Sequence, residues 1–193
     1  MHKERCEACL KITPGYGSVH YGSKDGPTRL LCTQCFNAEV AKQHGLEGFE
    51  NVRLEPIGIA GSTGVEHQFH FTTRLLGDIV SLEAFELHEG QQEGYKFQLI
   101  GKPEEDLFKL LGQLIQRIRK ALSVKHIEDG KYGLQIVESL VKGRIEWDEN
   151  EGGRVPVMVV DGREISWEEF GQMLMSHEGA QFKLEVFDPS ADV

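Results

Sequence analysis

The stretch LCTQCFNAEV, residues 31–40, sets a Cys-x-x-Cys pair directly before a run of residues that can continue as a helix. A second pair, Cys6 and Cys9, lies in CEACL near the start of the chain, and these four are its only cysteines. Twenty-two residues separate Cys9 from Cys32. Two knuckles of this kind turn tightly enough to aim four sulfurs at one tetrahedral ion, and thiolates suit zinc. Gly15, Gly17, Gly22, Gly26 and Pro27 punctuate the interval into two short strand-like pieces, SVHY and TRLL, which predicts a hairpin between the knuckles. Ala38, Ala41 and Lys42 favour a helix after the second knuckle, and Gly45 is placed to end it.

Knuckle, hairpin, knuckle and helix, with the second pair opening the helix in LCTQCFNAEV, resembles a treble-clef zinc finger, as in GATA-type and related fingers. The resemblance spans the first 45 residues, about a quarter of the chain, and implies Cys6, Cys9, Cys32 and Cys35 as the ligands of one structural Zn2+. The interval is longer than in a GATA-type finger. The basic tail that such DNA readers carry after the helix is replaced by GLEGFENVRLEPI.

Redox chemistry fits these cysteines less well, because a redox CxxC follows a strand and Cys6 leaves almost no chain before it. A catalytic zinc keeps an open position, whereas four thiolates fill the shell, so the expected role is structural. His20 and His44 flank the site in sequence and read as surface residues. Forty-odd residues with few large apolar side chains bury too little surface to fold alone, and metal binding can contribute on the order of 10 kcal/mol.

The chain of 193 residues is 39% apolar and 27% charged, an ordinary globular balance. Its net charge of −10 is uneven: residues 1–45 carry six Lys/Arg against four Asp/Glu, the remainder fifteen against twenty-seven. No basic face of the kind that phosphate neutralisation requires is legible in that pattern. The N-terminal MHKERCEACL has no apolar run of signal-peptide length, and PVMVV at 156–160 is too short to cross a bilayer, so the expectation is a cytoplasmic protein without a membrane partner.

From residue 51 the period changes to two. VRLEPIGIAG, VEHQFHFTTRLL, IVSLEAFELH and YKFQLIG read as strands separated by turn clusters such as AGSTG and EGQQEG, which predicts an antiparallel meander. Val65, His67, Phe69 and Phe71 share one face of the second run; Glu66, Gln68, His70 and Thr72 share the other. PEEDLFKLLGQLIQRIRKAL then reads as a helix from Pro103 to Leu122, with Pro103 at its first position, Glu104, Glu105 and Asp106 in its first turn and Arg117, Arg119 and Lys120 near its end. Leu107, Phe108, Leu110, Leu111, Leu114, Ile115, Ile118 and Leu122 form its apolar stripe.

Farther on, DGKYGLQIVESLVKG predicts a turn and a short helix ended by Gly143, and RIEWD, RVPVMVV and QFKLEVF predict strands. Ser166 with Glu169 predicts a capping box, opening a helix that Gly179 closes and whose inner face carries Trp167, Phe170, Met173 and Leu174. This part resembles C-terminal regions of uncharacterised bacterial proteins that also carry a finger at the front. No activity is implied by that likeness.

The sequence thus predicts an α+β protein: a four-cysteine zinc finger over 1–45, a meander with a long helix over 46–126, and a helix followed by a ββαβ unit over 127–193, the last two forming one domain. Three functions stay open. The first is an acidic protein-interaction or regulatory module that docks on another protein, with no catalytic or small-molecule cofactor residues. The second is nucleic-acid binding through the finger and the basic cluster Arg117, Arg119, Lys120, Lys125 and His126. The third is a hydrolase using Glu66, His67 or His70 on the meander. Against a second metal site, His67 and His70 are three residues apart in a strand and point to opposite faces.

Overall fold

The structure is a computed structural model, and it describes residues 3–22, 26–131, 133–148 and 152–191. The first cysteine pair lies in the loop of a hairpin and the second where a hairpin runs into a helix. Strand β1 (Lys3–Arg5) pairs antiparallel with β2 (Ile12–Pro14), with Cys6 and Cys9 in the loop between them. A single 3-10 turn, Gly15–Gly17, leads into β3 (Ser18–Tyr21), which pairs with β4 (Arg29–Cys32) as SVHY and TRLL predict. Helix α1 (Thr33–His44) follows Cys32 without a break. Gly45 closes it at φ 65°, a left-handed conformation that glycine adopts at little cost. Leu31, Phe36, Val40, Cys6 and Cys32 are buried together with Leu75 and Val80 of the next segment.

The period-two region folds as an antiparallel sheet in the order β5 (Ile57–Ala60), β6 (Glu66–Leu75), β7 (Val80–His88), β8 (Gln91–Gly101). Of EGQQEG only the first two residues turn. Glu89 at φ 51° and Gly90 at φ 88° make the tight connection that matches strand twist, and Gln91 is already strand. Phe69, Leu82 and Ala84 point to one face, where α2 (Leu107–Leu122) lays Leu107, Leu110, Leu114, Ile118 and Leu122 on them. Each such side chain contributes roughly 1.5–3 kcal/mol on burial. Phe108, expected in the stripe, is 58% exposed.

Pro103 does not occupy the first helical position. The helix starts later because Asp106 caps it, its carboxylate accepting from the N–H groups of Phe108 at 2.8 Å and Lys109 at 3.2 Å. Pro103, Glu104 and Glu105 therefore belong to the turn that leads in.

The C-terminal part departs most from expectation. Where DGKYGLQIVESLVKG predicts a helix, the structure has a hairpin of β9 (Ile127–Gly130) and β10 (Gly133–Ile136), and residues 137–143 are neither helix nor strand. Leu134 and Ile136 lie on one face at strand spacing and are packed against buried Ile127, Val160, Ile165 and Met173, so a tertiary contact overrides the local helix pattern. A meander of β11 (Arg144–Trp147), β12 (Pro156–Val160) and β13 (Arg163–Ser166) precedes α3 (Trp167–Met175). The capping box is present: Ser166 Oγ accepts from the Glu169 N–H, and the Glu169 carboxylate accepts from the Ser166 N–H. Helix α3 ends at Ser176, before Gly179, and Trp167 and Leu174 lie outside its inner face, 53% and 46% exposed. QFKLEVF forms no strand among the described residues, and Phe182 is 91% exposed. The whole is a mixed α+β fold, with three helices and five antiparallel sheets among the described residues.

Candidate metal centre

Each knuckle is held by backbone geometry before any ion is considered. The Cys6 N–H donates to the Lys11 carbonyl and the Leu10 N–H to the Cys6 carbonyl, closing the first loop. Leu10 sits there at φ 61°, a left-handed conformation that costs a non-glycine residue about 1–2 kcal/mol. Glu7 clasps this loop to β4: its N–H donates to the Leu30 carbonyl, and its carboxylate accepts the Leu30 N–H at 2.8 Å. The second knuckle is the junction of β4 and α1. Cys32 is the N-cap residue and Cys35 lies in the first turn.

These two loops bring the sulfurs of Cys6, Cys9, Cys32 and Cys35 within 4.8 Å of one another. All four are free thiols, and Cys9 Sγ lies 3.8 Å from Cys32 Sγ, far beyond the roughly 2.05 Å of a disulfide. A tetrahedron with metal–sulfur bonds of about 2.3 Å has edges of roughly 3.8 Å. Four close cysteines of this geometry could hold a metal ion.

The electrostatics fit the same reading. Burial raises the Cys6 pKa, but N–H groups of Cys32, Cys9 and Ala8 and the Cys9 side chain outweigh it and leave the thiol at about 6. Burial pushes the Cys35 thiol up, and the sulfurs of Cys32, Cys9 and Cys6 push it further. Cys32 is also raised, by burial first and then by Cys6 and Cys9, against an opposing contribution from Cys35. Burial and mutual repulsion thus disfavour the thiolates of Cys32 and Cys35, while the N–H groups around Cys6 favour its own. A divalent cation at the centre of the cluster reverses that balance, because a coordinating thiol is deprotonated outright.

One residue that locks the cysteine segment to the meander was not legible beforehand. Asn37 of α1 is 2% exposed and plugs the edge of β6, donating to the Thr73 carbonyl at 2.8 Å and accepting the Leu75 N–H at 2.9 Å. It replaces a neighbouring strand where β5, which reaches only as far as Phe69, has ended. Tyr16, from the 3-10 turn, packs edge-on against Phe85 and His70 at 5.3 and 6.0 Å, on the sheet face away from α2. The only forward signal was an asparagine at an inward helical position, and polar residues there need a partner.

The other candidates are engaged elsewhere. His67 Nδ1 lies 2.7 Å from Glu86 Oε1, with its ring against Tyr95, while burial lowers the His70 pKa under Tyr16. The two rings occupy opposite faces of β6. A surface cleft of about 400 Å3 is lined by Leu46 to Glu50 and Pro103 to Asp106 and includes none of Glu66, His67 and His70. Arg117 donates to the carbonyls of Gln98 and Ser190 at 2.8 and 2.9 Å, so it ties α2 to β8 and to the tail. His126 Nδ1 lies 3.0 Å from the Leu140 carbonyl.

Three family models match consecutive segments, each described as a domain of unknown function: DUF7685 over residues 5–47, DUF7686 over 50–123 and DUF7713 over 126–191. No curated protein and no solved structure matches the chain. Among the described residues no helix is long and apolar enough to cross a membrane.

Proposed function

We propose that the protein is a zinc-scaffolded interaction module. Cys6, Cys9, Cys32 and Cys35 hold one Zn2+ in a treble-clef finger over residues 1–45, and the acidic body, residues 46–126 and 127–193 packed as one domain, docks on another protein in the cytoplasm. The observation that carries this reading is the mutual approach of the four sulfurs within 4.8 Å, with one S···S distance equal to a tetrahedral edge. Four thiolates leave no open position for substrate or water, which makes the ion a scaffold. The donor set favours zinc over magnesium or calcium, since thiolates are soft ligands. Consecutive family matches over 5–47, 50–123 and 126–191 support three segments, and a net charge of −10 favours a protein partner over a nucleic acid.

The test has two stages. Elemental analysis of the purified chain should find one zinc per chain, absent from Cys32→Ser. Affinity purification from the native cell should then recover the same partner with the wild type and lose it with a variant of the docking surface. A chain without metal, or one that turns over substrate at a defined pocket, ends the proposal.

A further inference from the structure

Two exposed apolar places on the body match each other residue for residue. One is the tail after α3, where Phe182, Leu184 and Val186 are 91%, 75% and 73% exposed and alternate with Lys183 and Glu185. The other is β11, whose Ile145 and Trp147 are 54% and 69% exposed. Strand β11 is an edge: it pairs with β12 on one side and with no strand on the other among the described residues. Such an edge offers open N–H and C=O groups, and an extended segment with alternating side chains is what it accepts.

The tail is also displayed. It is anchored before residue 181 by the turn in which the Ala180 N–H donates to the His177 carbonyl, and after 187 by the Ser190 carbonyl accepting from Arg117. The segment carries no helix or strand, but both its ends are fixed, so part of its ordering cost is met before a partner arrives. Among the described residues no strand covers the outer edge of β11, and Phe182, Leu184 and Val186 stay exposed within the single chain.

We propose that residues 181–187 add as an antiparallel strand to the outer edge of β11 in a second copy of this chain, the two copies exchanging strands reciprocally. The side chains set the register. Placing Leu184 opposite Ile145 puts Phe182 opposite Trp147, Glu185 opposite Arg144 and Lys183 opposite Glu146. Both apolar pairs then share one face and both opposite-charge pairs the other. A slip of two residues opposes Arg144 to Lys183 or Glu146 to Glu185, and a slip of one sets apolar against charged side chains. Parallel pairing with Leu184 opposite Ile145 makes both charge pairs repulsive. Each strand already pairs its own charges, Arg144 with Glu146 at 2.7 Å and Lys183 with Glu185, so association exchanges ion pairs across a two-fold interface.

This inference stands whether or not the cysteines hold zinc. It is tested by sedimentation velocity on the full chain over a concentration series. The wild type should dimerise, and Lys183→Glu and Glu146→Lys should each weaken self-association about tenfold or more. An equimolar mixture of the two variants should dimerise again, because each reversed charge meets its complement only across two chains; circular dichroism checks that both remain folded. A wild type that is monomeric at every concentration overturns the proposal. So does a dimer that survives deletion of residues 181–193, or a mixture as weak as its separate components.

Discussion

The cysteine segment and the C-terminal unit each bury only a few apolar side chains of their own, yet they are held in different ways. The first has Leu31, Phe36 and Val40 beside four converging sulfurs, and it locks onto the meander through Asn37 and Tyr16. The second has Ile127, Val160, Ile165 and Met173 and no cysteine. It leans on polar ties instead: Asp161 accepts the N–H groups of His126 and Ile127 at 2.6 and 2.9 Å, and Arg144 donates to the Gly94 carbonyl of β8 at 3.1 Å. Small segments bury too little surface to stand alone, so each needs a cross-link or a neighbour. Where neither reaches, as in residues 181–187, the chain stays exposed.

The largest effect should come from breaking the cross-link. If the four sulfurs hold a metal as proposed, chelating it, or replacing Cys32 by Ser, should unfold the cysteine segment while the meander and the C-terminal unit keep their amide dispersion in an NMR spectrum, since metal binding is worth on the order of 10 kcal/mol to such a segment. Simultaneous loss of signals from 127–191 would erase the distinction between the two units.

Next in size is the lock between the segments. Asn37→Ala leaves the Thr73 carbonyl and the Leu75 N–H without their partner at a buried site, which should cost about 2–4 kcal/mol in a denaturant titration. Asp161→Ala is the matching cut in the C-terminal unit. It should cost about 1–3 kcal/mol there and leave metal content unchanged, because its carboxylate serves two N–H groups at the half-buried start of the hairpin.

A smaller effect is tied to pH. Burial holds the His70 pKa below its ordinary 6.5, so the unfolded chain binds the extra proton first as the pH falls. Stability is complete above 6.5 and declines as the pH drops through 6.5 towards the lower folded value. His70→Phe should flatten that part of the pH dependence relative to wild type in thermal melts, carboxylate and thiolate titrations being common to both. The smallest change is Leu10→Gly. It relieves a left-handed backbone at a side chain that is 61% exposed, and it should raise the stability of the cysteine segment by roughly 0.5–1 kcal/mol, read from the metal-bound melt.

The same contrast explains what could be read ahead. The hairpin SVHY with TRLL, the helix that carries Cys35 and the α2 stripe apart from the exposed Phe108 rest on neighbours in sequence, and they appear where local spacing puts them, although α2 starts at Leu107 and not at Pro103. Residues 129–143 read as a turn and a short helix, yet residues 133–136 pair with 127–130 as a hairpin, because Leu134 and Ile136 pack on Val160 and Met173. QFKLEVF has a strand's alternation but no partner strand among the described residues, and alternation alone supplies no hydrogen bonds.

From the sequence by itself came the α+β class, the meander, the order of knuckle, hairpin and helix, and the four cysteines as a group, since each rests on local periodicity or on a ligand type and spacing that few other roles share. Only the tertiary structure decided that the sulfurs meet within 4.8 Å, that Asn37 closes the edge of β6 and that Phe182, Leu184 and Val186 of the tail stay exposed. Those outcomes depend on which surfaces compete for burial once the chain has collapsed, and that competition is between residues far apart in sequence.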